Sequence, residues 1–186
     1  MAAAWGCSKA IEIVVYVNVM FARVSTCDQA PLVLRARRAA YRVAYRLLWL
    51  TAFVRAPRGQ GVKAALVCDG ELLLVRHTYG PERWELPGGG VRRREAPEAA
   101  LRRELDEELG LGAAGATALA VIHGPGRMRR HRTHLYRVDV ASNHLTPDPV
   151  EIAEARWCDP AALPRPLGSM VAQAVGLAGL APPGER

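Results

Sequence analysis

The stretch GGVRRREAPEAALRRELDEELGL, residues 89–111, decides the fold, because it contains a helix whose start, end and buried face can all be identified. Pro97 suits the first helical position, and Glu98 suits the positive end of the helix dipole. Gly110 suits the position just past the helix end. The stretch therefore predicts a helix over residues 97–109, and three leucines would form its buried stripe: Leu101, Leu105 and Leu109.

A second face of this predicted helix is acidic. Glu104, Glu107 and Glu108 are spaced i, i+3, i+4, so they fall within an arc of about 100° on the helix surface. Carboxylates this close repel one another, and a bound divalent cation would remove that penalty. Ligation by oxygen alone suits Mg²⁺ or Mn²⁺ and does not suit structural zinc. Arg103 lies beside the Glu107 edge, where it is placed to donate a charge-assisted hydrogen bond to a carboxylate.

A glycine-rich loop precedes the helix. The segment PGGG, residues 87–90, lets the backbone approach a ligand closely and offer carbonyls to a metal or amides to a phosphate. An arginine-rich turn, residues 92–94, joins this loop to the helix. A glycine loop or an acidic helix alone is weak evidence, but the combination predicts a metal–phosphate site.

The same residues form a motif that resembles the box of the Nudix hydrolase family. That box consists of a glycine, five residues, a glutamate, seven residues and a segment that reads RELDEELGL here, residues 103–111. All seven fixed residue types match, and both aliphatic positions are leucine. The resemblance extends more loosely over residues 62–177. One departure is Arg94, which stands where many members have glycine and leaves the local turn in question.

The resemblance implies an α/β fold, a Nudix-like α/β/α sandwich with a mixed sheet, and hydrolysis of a nucleoside diphosphate linked to another group. It implies Mg²⁺, or alternatively Mn²⁺, as cofactor. A glutamate outside the box often completes such a site; Glu151 is the first choice and Glu154 the second. The general base is left open between Glu104 and Glu151. By position, the metal ligands would be Glu104, Glu107, Glu108, the Gly88 carbonyl and Glu151, while Gly89, Glu95, Arg103 and Gly110 would support the box.

Outward from the box, apolar content and turn residues predict the remaining elements. Asp69-Gly70 is a strong hairpin signal between two strands. The predicted strands are 62–68, 71–77, 84–86, 118–123, 133–140 and 155–158, and helical pieces are predicted at 160–163 and 167–177. These elements give four regions: an arm (1–30), a basic helix (31–60), the hydrolase domain (61–180) and a tail (181–186).

The region before the domain predicts an amphipathic helix over residues 34–55. Arg38, Arg42 and Arg46 recur at i, i+4 and share one face. A helix packed on the domain with a solvated basic face is the favoured interpretation. The alternative is peripheral contact of residues 34–55 with acidic lipid or another polyanion. Residues 1–30 are either an additional strand or arm, or lie upstream of a true start near Val33.

Composition sets broad limits. The 186 residues are 50% hydrophobic and 23% charged, with a formal net charge of +7. A basic balance suits nucleotides, nucleic acid or acidic membranes, or simply reflects genome composition. No apolar run reaches the roughly 18–20 residues of a membrane span. The cysteines are expected to be reduced thiols of a cytoplasmic protein: Cys7, Cys27, Cys68 and Cys158.

Substrate contacts are less clearly indicated. Arg127 and Arg129 lie in a basic segment that could reach phosphates, although a solvated hairpin tip is the favoured interpretation. Arg76 and His77 end a strand near the expected cleft and are further candidates. Three hypotheses follow: a hydrolase of a small nucleotide, an RNA 5′-end hydrolase, and a non-catalytic binding module. The small nucleotide is favoured over RNA, and the oligomeric state is left open.

Overall fold

The structure is a computed structural model that describes residues 31, 33–40, 43, 59–112, 115–124 and 131–180. Within the predicted helix of residues 34–55, residues 34–40 and 43 are helical. Across the described residues, no helix is both long and apolar enough to cross a membrane. The predictions for the 1–30 arm, the 181–186 tail, Arg127 and Arg129 lie outside the described residues.

Five strands form one mixed sheet. The strands β1 and β4 pair in parallel, whereas the β1–β2, β2–β5 and β3–β4 pairs are antiparallel. The order across the sheet is β3-β4-β1-β2-β5. The strands are β1 (Gln60–Cys68), β2 (Glu71–His77), β3 (Thr117–His123), β4 (Arg132–Asp139) and β5 (Ile152–Cys158).

One helix covers each face of the sheet, which confirms the predicted α/β/α sandwich. The first helix, α1 (Pro97–Leu109), packs its leucines against one face, and the second, α2 (Val171–Leu177), packs against the other. Alternation along the strands separates two cores. Val62, Leu66 and Leu73 belong to the α1 core, whereas Leu72 and Leu74 belong to the α2 core.

The boundaries of α1 and β2 match the prediction, but the C-terminal elements differ. β5 begins at Ile152, three residues before the predicted start, because Ile152, Glu154 and Ala155 all pair with β2. Residues 160–163 form a turn and not a helix: the Asp159 side chain accepts the Ala161 N–H and its carbonyl accepts the Ala162 N–H. The last helix begins at Val171, because the extended Leu167 forms a bridge with Trp84.

The glycine loop fills a gap between the two strands of the first hairpin. β1 and β2 pair only at Val67–Leu72 and Cys68–Glu71, beside the Asp69-Gly70 turn. Farther from the turn, residues 84–91 lie between them, so the predicted strand at 84–86 is reduced to isolated bridges. The bonds that anchor this segment are Val62 N–H to Gly89 O (2.9 Å), Ala64 N–H to Pro87 O (3.0 Å), Val91 N–H to Gln60 O (2.9 Å) and Val75 N–H to Glu85 O (2.9 Å).

Candidate active site

The packing of α1 fixes the direction in which its glutamates point. Leu101, Leu105 and Leu109 are fully buried against the sheet. Gly110 ends the helix in the left-handed conformation, with φ 66°, and its N–H donates to Asp106 O at 2.9 Å. With the helix held at both its buried stripe and its C-terminus, the acidic face is turned toward the glycine loop.

The three glutamates of this face differ in exposure. Glu108 is 2% exposed, the Glu104 side chain is 14% exposed and the Glu107 side chain is 44% exposed. Burial raises the pKa of Glu104, although the neighbouring Arg103 opposes that shift. The face therefore runs from a buried carboxylate, at Glu108, to one that is open to solvent, at Glu107.

Glu108 is tied directly to the glycine loop. Its Oε2 accepts the N–H of Gly88 at 2.9 Å. Burial raises the pKa of Glu108 to about 7; Lys63 and the Gly88 N–H act against the shift, and the charges of Glu104 and Glu151 add to it. A nearly inaccessible carboxylate surrounded by other acids is costly to ionise, so a cation at this position would stabilise its charged form.

Arg103 connects the acidic face to the turn before the helix. Its Nε and Nη2 donate to the two carboxylate oxygens of Glu95, at 2.8 and 3.0 Å. Its Nη1 donates to Glu104 at 2.8 Å and to Glu107 at 3.0 Å, and Nη2 also reaches the Gly90 carbonyl at 2.9 Å. The Arg103 hydrogen bond is the main cause that lowers the pKa of Glu95. One guanidinium thus holds the turn, the loop and two helix carboxylates together.

Two glycines are required by close contacts. A Cβ at Gly88, whose φ is +119°, would lie 2.5 Å from the Val62 carbonyl oxygen. A Cβ at Gly89 would lie 2.6 Å from the Glu104 carboxylate. The glycines therefore let the loop pass between β1 and the acidic face.

The Gly88 carbonyl is also distinctive. Gly88 is buried, and the carbonyls on either side of it, of Pro87 and Gly89, both accept hydrogen bonds from β1. Among the described residues the Gly88 carbonyl accepts none. A buried carbonyl without a donor is destabilising unless something else occupies that position, such as a cation or water.

Glu151 lies near the site, in the turn that precedes β5. The Asp148 N–H donates to the Glu108 carbonyl at 2.9 Å, and the Glu151 carbonyl accepts the Thr78 N–H at 2.8 Å. These bonds fasten the turn of residues 148–151 to both α1 and the end of β2. The charge of Glu151 raises the pKa of Glu108, so the two carboxylates lie within electrostatic range of each other.

Glu154, the second choice, is engaged elsewhere. Its carboxylate pairs with Arg76 at 2.5 Å and with Arg156 at 2.6 Å. Both guanidinium groups lie over the ring of Trp84, at 5.2 and 4.9 Å from its centroid. Trp84 belongs to the α2 core, so the structure places Glu154 and Arg76 on the face of the sheet opposite α1.

His77 lies at the end of β2 and stacks on Tyr79, with ring centroids 5.1 Å apart. Burial, followed by the positive charge of Lys63, lowers the pKa of His77 to about 4, and Glu85 opposes the shift. The imidazole is therefore neutral at pH 7. Its Nδ1 is buried without a hydrogen-bond partner.

Sequence reasoning missed Lys63 and Glu85, whereas it placed Arg92 in the arginine-rich turn near the site. Lys63 donates to the Leu86 carbonyl at 2.8 Å and lies 4.0 Å from Glu85. Arg92 pairs with Glu107 at 3.1 Å. The signal for Lys63 was present, because it is the one charged residue in the otherwise apolar strand QGVKAALVC. No local pattern could have indicated the Arg92–Glu107 pair, which depends on how the turn folds back on α1.

The donor set suits a hard divalent cation, although the side chains are held by other partners. Within the described residues no three His, Cys, Asp or Glu side chains are grouped as a preformed metal site. Instead Arg103 and Arg92 bond the oxygens of Glu104 and Glu107. Three carboxylates and a buried carbonyl without a donor are nevertheless the oxygen ligands that Mg²⁺ and Mn²⁺ prefer. The residues present therefore fit such an ion once the arginine contacts rearrange.

Comparison with known proteins adds a family match. The model of the NUDIX domain matches residues 57–175. An RNA pyrophosphohydrolase of Saccharophagus degradans is 44% identical over 64 residues, which are 34% of this chain and 38% of that protein. Diphosphoinositol polyphosphate phosphohydrolase 3-alpha of Mus musculus is 35% identical over 89 residues, 45% of this chain and 54% of that protein. The chain thus spans between about four tenths and one half of these two curated relatives.

The fold has a solved counterpart. A MutT NUDIX hydrolase from Burkholderia pseudomallei superposes with a TM-score of 0.56 and 29% identity, covering 64% of this chain and 96% of that one. The 64% of this chain that superposes agrees with the extent of the sandwich, which begins at β1. The helical residues 33–40 lie outside residues 57–175, the range that the family model matches.

Proposed function

This chain belongs to the NUDIX family, and from its site we propose that it is a divalent-metal-dependent hydrolase that cleaves a diphosphate linkage in a nucleoside diphosphate derivative. The observation that carries the proposal is the acidic face of α1 directed at the glycine loop, with Glu108 bonded to the Gly88 N–H at 2.9 Å. A buried carboxylate in that position has a physical reason to bind a cation.

The proposed ligands are the carboxylates of the acidic face together with the turn before β5. When bound, Mg²⁺ or Mn²⁺ would neutralise the diphosphate oxygens and lower the pKa of a bound water. Its proposed ligands are Glu104, Glu107, Glu108, the Gly88 carbonyl and Glu151.

The other residues of the site hold these ligands in place. The Glu95–Arg103 pair fixes the turn before α1, and Arg103 offsets the repulsion between Glu104 and Glu107 by bonding both. Glu104 and Glu151 are the two candidates that accept the proton as water attacks phosphorus. Charge builds on the phosphoryl oxygens in that step, so cationic stabilisation is expected to be the largest contribution to the rate.

A small nucleotide is the proposed substrate, and an RNA 5′ end is the second candidate. The observation in support of the RNA candidate is the 44% identity, over 64 residues, with a protein named RNA pyrophosphohydrolase. The affinity for RNA would fall steeply as salt is raised, because several phosphates contact the protein at once. A purely binding role is disfavoured, since all three box glutamates are present.

The test is a panel of nucleoside diphosphate derivatives with Mg²⁺, using Glu107→Gln and Glu108→Gln as variants. We expect hydrolysis that requires the metal and falls by orders of magnitude in both variants, because each loses a charged ligand. Glu98→Gln is the matched control: Glu98 lies on α1, and its side chain is half exposed and paired with Arg102. Turnover by the wild-type protein that persists in chelator would contradict the mechanism.

A further inference from the structure

The helical residues 33–40, which precede the NUDIX domain, contact the turn beside the site. The side chain of Arg38 donates from Nε to the Pro149 carbonyl at 3.0 Å. Along this stretch the partly buried residues are Leu34, Arg37 and Arg38, spaced i, i+3, i+4, whereas Arg35 is exposed. The stretch therefore lays one face on the domain, and that face carries two arginines.

The sequence expectation was a helix packed on the domain with a solvated basic face. Arg38 is partly buried and makes its bond to Pro149 at the exposed surface, so it combines contact with the domain and access to solvent. The bond to Pro149 uses one of the five N–H groups of the guanidinium. The bond places Nε, at the base of the fork, beside the 148–151 turn.

The turn that Arg38 contacts borders the proposed metal ligands. Pro149 follows Asp148, whose N–H donates to the Glu108 carbonyl at 2.9 Å, and lies two residues before Glu151. Hydrogen bonds close the turn: Val150 N–H donates to the Asp148 side chain at 2.8 Å, and Ile152 N–H donates to the Asp148 carbonyl at 2.8 Å. The Arg38 guanidinium that bonds Pro149 therefore lies beside the turn that carries Glu151.

The charge of this stretch complements an anionic substrate. Residues 31–40 contain three arginines and no acid. The rim they approach is acidic, and an acidic rim repels a phosphate-rich ligand unless cations stand beside it. Guanidinium groups bind phosphate oxygens with paired, charge-assisted hydrogen bonds. A neutral or singly charged ligand would gain little from them.

We propose that Arg38 forms an outer wall of the substrate site that binds phosphate groups beyond the diphosphate that is cleaved. The preferred substrate would accordingly carry more than two phosphates, and a polyphosphorylated small molecule and a 5′-triphosphorylated RNA share that chemistry. This proposal rests on the proposed function for the position of the scissile diphosphate.

The test compares Arg38→Gln with Arg35→Gln, which removes the same charge from the exposed side of the same stretch. The kinetic substrates are a nucleoside diphosphate sugar, with two phosphates, and a dinucleoside tetraphosphate, with four. We expect Arg38→Gln to raise KM for the tetraphosphate by about five- to tenfold and to leave the sugar nucleotide within about twofold. Arg38→Lys should recover part of the loss, since it restores the charge without the planar fork.

Binding is measured as well, by calorimetry with methylene-bridged analogues of both substrates and with a 5′-triphosphorylated RNA. Arg38→Gln should weaken the binding of the phosphate-rich ligands and leave the binding of the sugar-nucleotide analogue nearly unchanged. It should also reduce the slope of log affinity against log salt by about one. A selective loss of affinity for either the tetraphosphate analogue or the RNA supports the proposal. The ligand that shows the loss identifies whether a small molecule or an RNA supplies the additional phosphates.

Two outcomes separate this inference from the proposed function. If the wild-type protein hydrolyses nothing but Arg38→Gln still weakens phosphate-rich ligands selectively, the catalytic proposal fails and the outer wall stands. If hydrolysis needs Mg²⁺ as expected, but Arg38→Gln and Arg35→Gln affect both substrates equally or not at all, the outer wall is overturned.

Discussion

At the scale of single residues, Glu108 combines a structural cost with a proposed role. A buried carboxylate costs free energy unless it is protonated, hydrogen-bonded or paired with a cation. Glu108 has one hydrogen bond, from Gly88, and its pKa is raised by burial to about 7. The metal-free protein therefore keeps this side chain partly protonated near neutrality, and the ionised form would depend on a bound cation.

The pH dependence of stability follows from that shift. A carboxyl whose folded pKa lies above its unfolded value binds more protons when folded, so the free energy of unfolding falls as pH rises from about 5 to about 7. Glu108→Gln mimics the protonated form and keeps an acceptor for the Gly88 N–H. We expect its advantage over the wild-type protein, measured by denaturant unfolding in chelator, to grow across that range by up to about 3 kcal/mol.

His77 also titrates in this range with the opposite sign, but both proteins carry it, so its contribution cancels from the difference. Added Mg²⁺ should stabilise the wild-type protein selectively at pH 8. A difference between the two proteins that does not change with pH would show that Glu108 is already fully ionised in the folded state.

At the scale of elements, the glycine loop and the turn into α1 determine where the carboxylates lie. The loop passes so close to α1 that a Cβ at residue 89 would meet the Glu104 carboxylate, and the turn reverses the chain between Arg92 and Glu95. The reversal is closed by the Arg92 N–H, which donates to the Glu95 carboxylate at 2.7 Å. Substitutions in these two segments should separate effects on activity from effects on stability.

Gly89→Ala should reduce activity far more than stability. The added Cβ would lie 2.6 Å from the Glu104 carboxylate, which is the free end of a flexible side chain, so Glu104 is displaced while the backbone is retained. We expect hydrolysis to fall at least tenfold and unfolding free energy to change by about 1 kcal/mol or less. Gly90→Ala is the control, because a Cβ there meets nothing within 4 Å. Equal losses of activity in Gly89→Ala and Gly90→Ala would show that contact with Glu104 is not the cause.

Arg94→Gly should stabilise the protein. Arg94 has a φ of +64°, a left-handed conformation that costs a residue with a Cβ about 1–2 kcal/mol. Glycine adopts it freely but loses more backbone entropy on folding, so we expect a net gain of about 0.5–1 kcal/mol in thermal or denaturant unfolding. Arg93 is not among the residues with a positive φ, so Arg93→Gly should lower the free energy of unfolding by about the same amount. Destabilisation in both variants would mean that the Arg94 side chain contributes more than the turn conformation costs.

At the scale of the whole molecule, the sequence predicted the layers better than the C-terminal details. Periodicity identified β1, β2 and α1 because their apolar residues repeat regularly, and Asp69-Gly70 marked the hairpin. The turn at residues 160–163 was predicted as a helix because its composition is helical, whereas the Asp159 side chain competes for the backbone N–H groups. Cys68 and Cys158 are buried free thiols, as expected for small core residues.

From spacing alone, the candidate site was predictable only where its residues are close in the sequence. Spacing on one helix placed Glu104, Glu107 and Glu108 on a common face. The insertion of residues 84–91 between β1 and β2 brings Lys63 to Glu85. It depends on strand pairing between distant segments, so no local sequence pattern predicts that contact. For the same reason the contact of Arg38 with Pro149 could not be predicted, since 111 residues separate them.

The anchoring of the glycine loop also bears on how binding free energy is used. Because β1 holds residues 87–91 through three backbone hydrogen bonds, the loop has its final shape before any ligand arrives. Such preorganisation means that little of the affinity is spent on ordering this part of the protein. Discrimination between ligands is then expected to arise at the periphery of the site, where side chains such as Arg38 lie, and not in the loop itself.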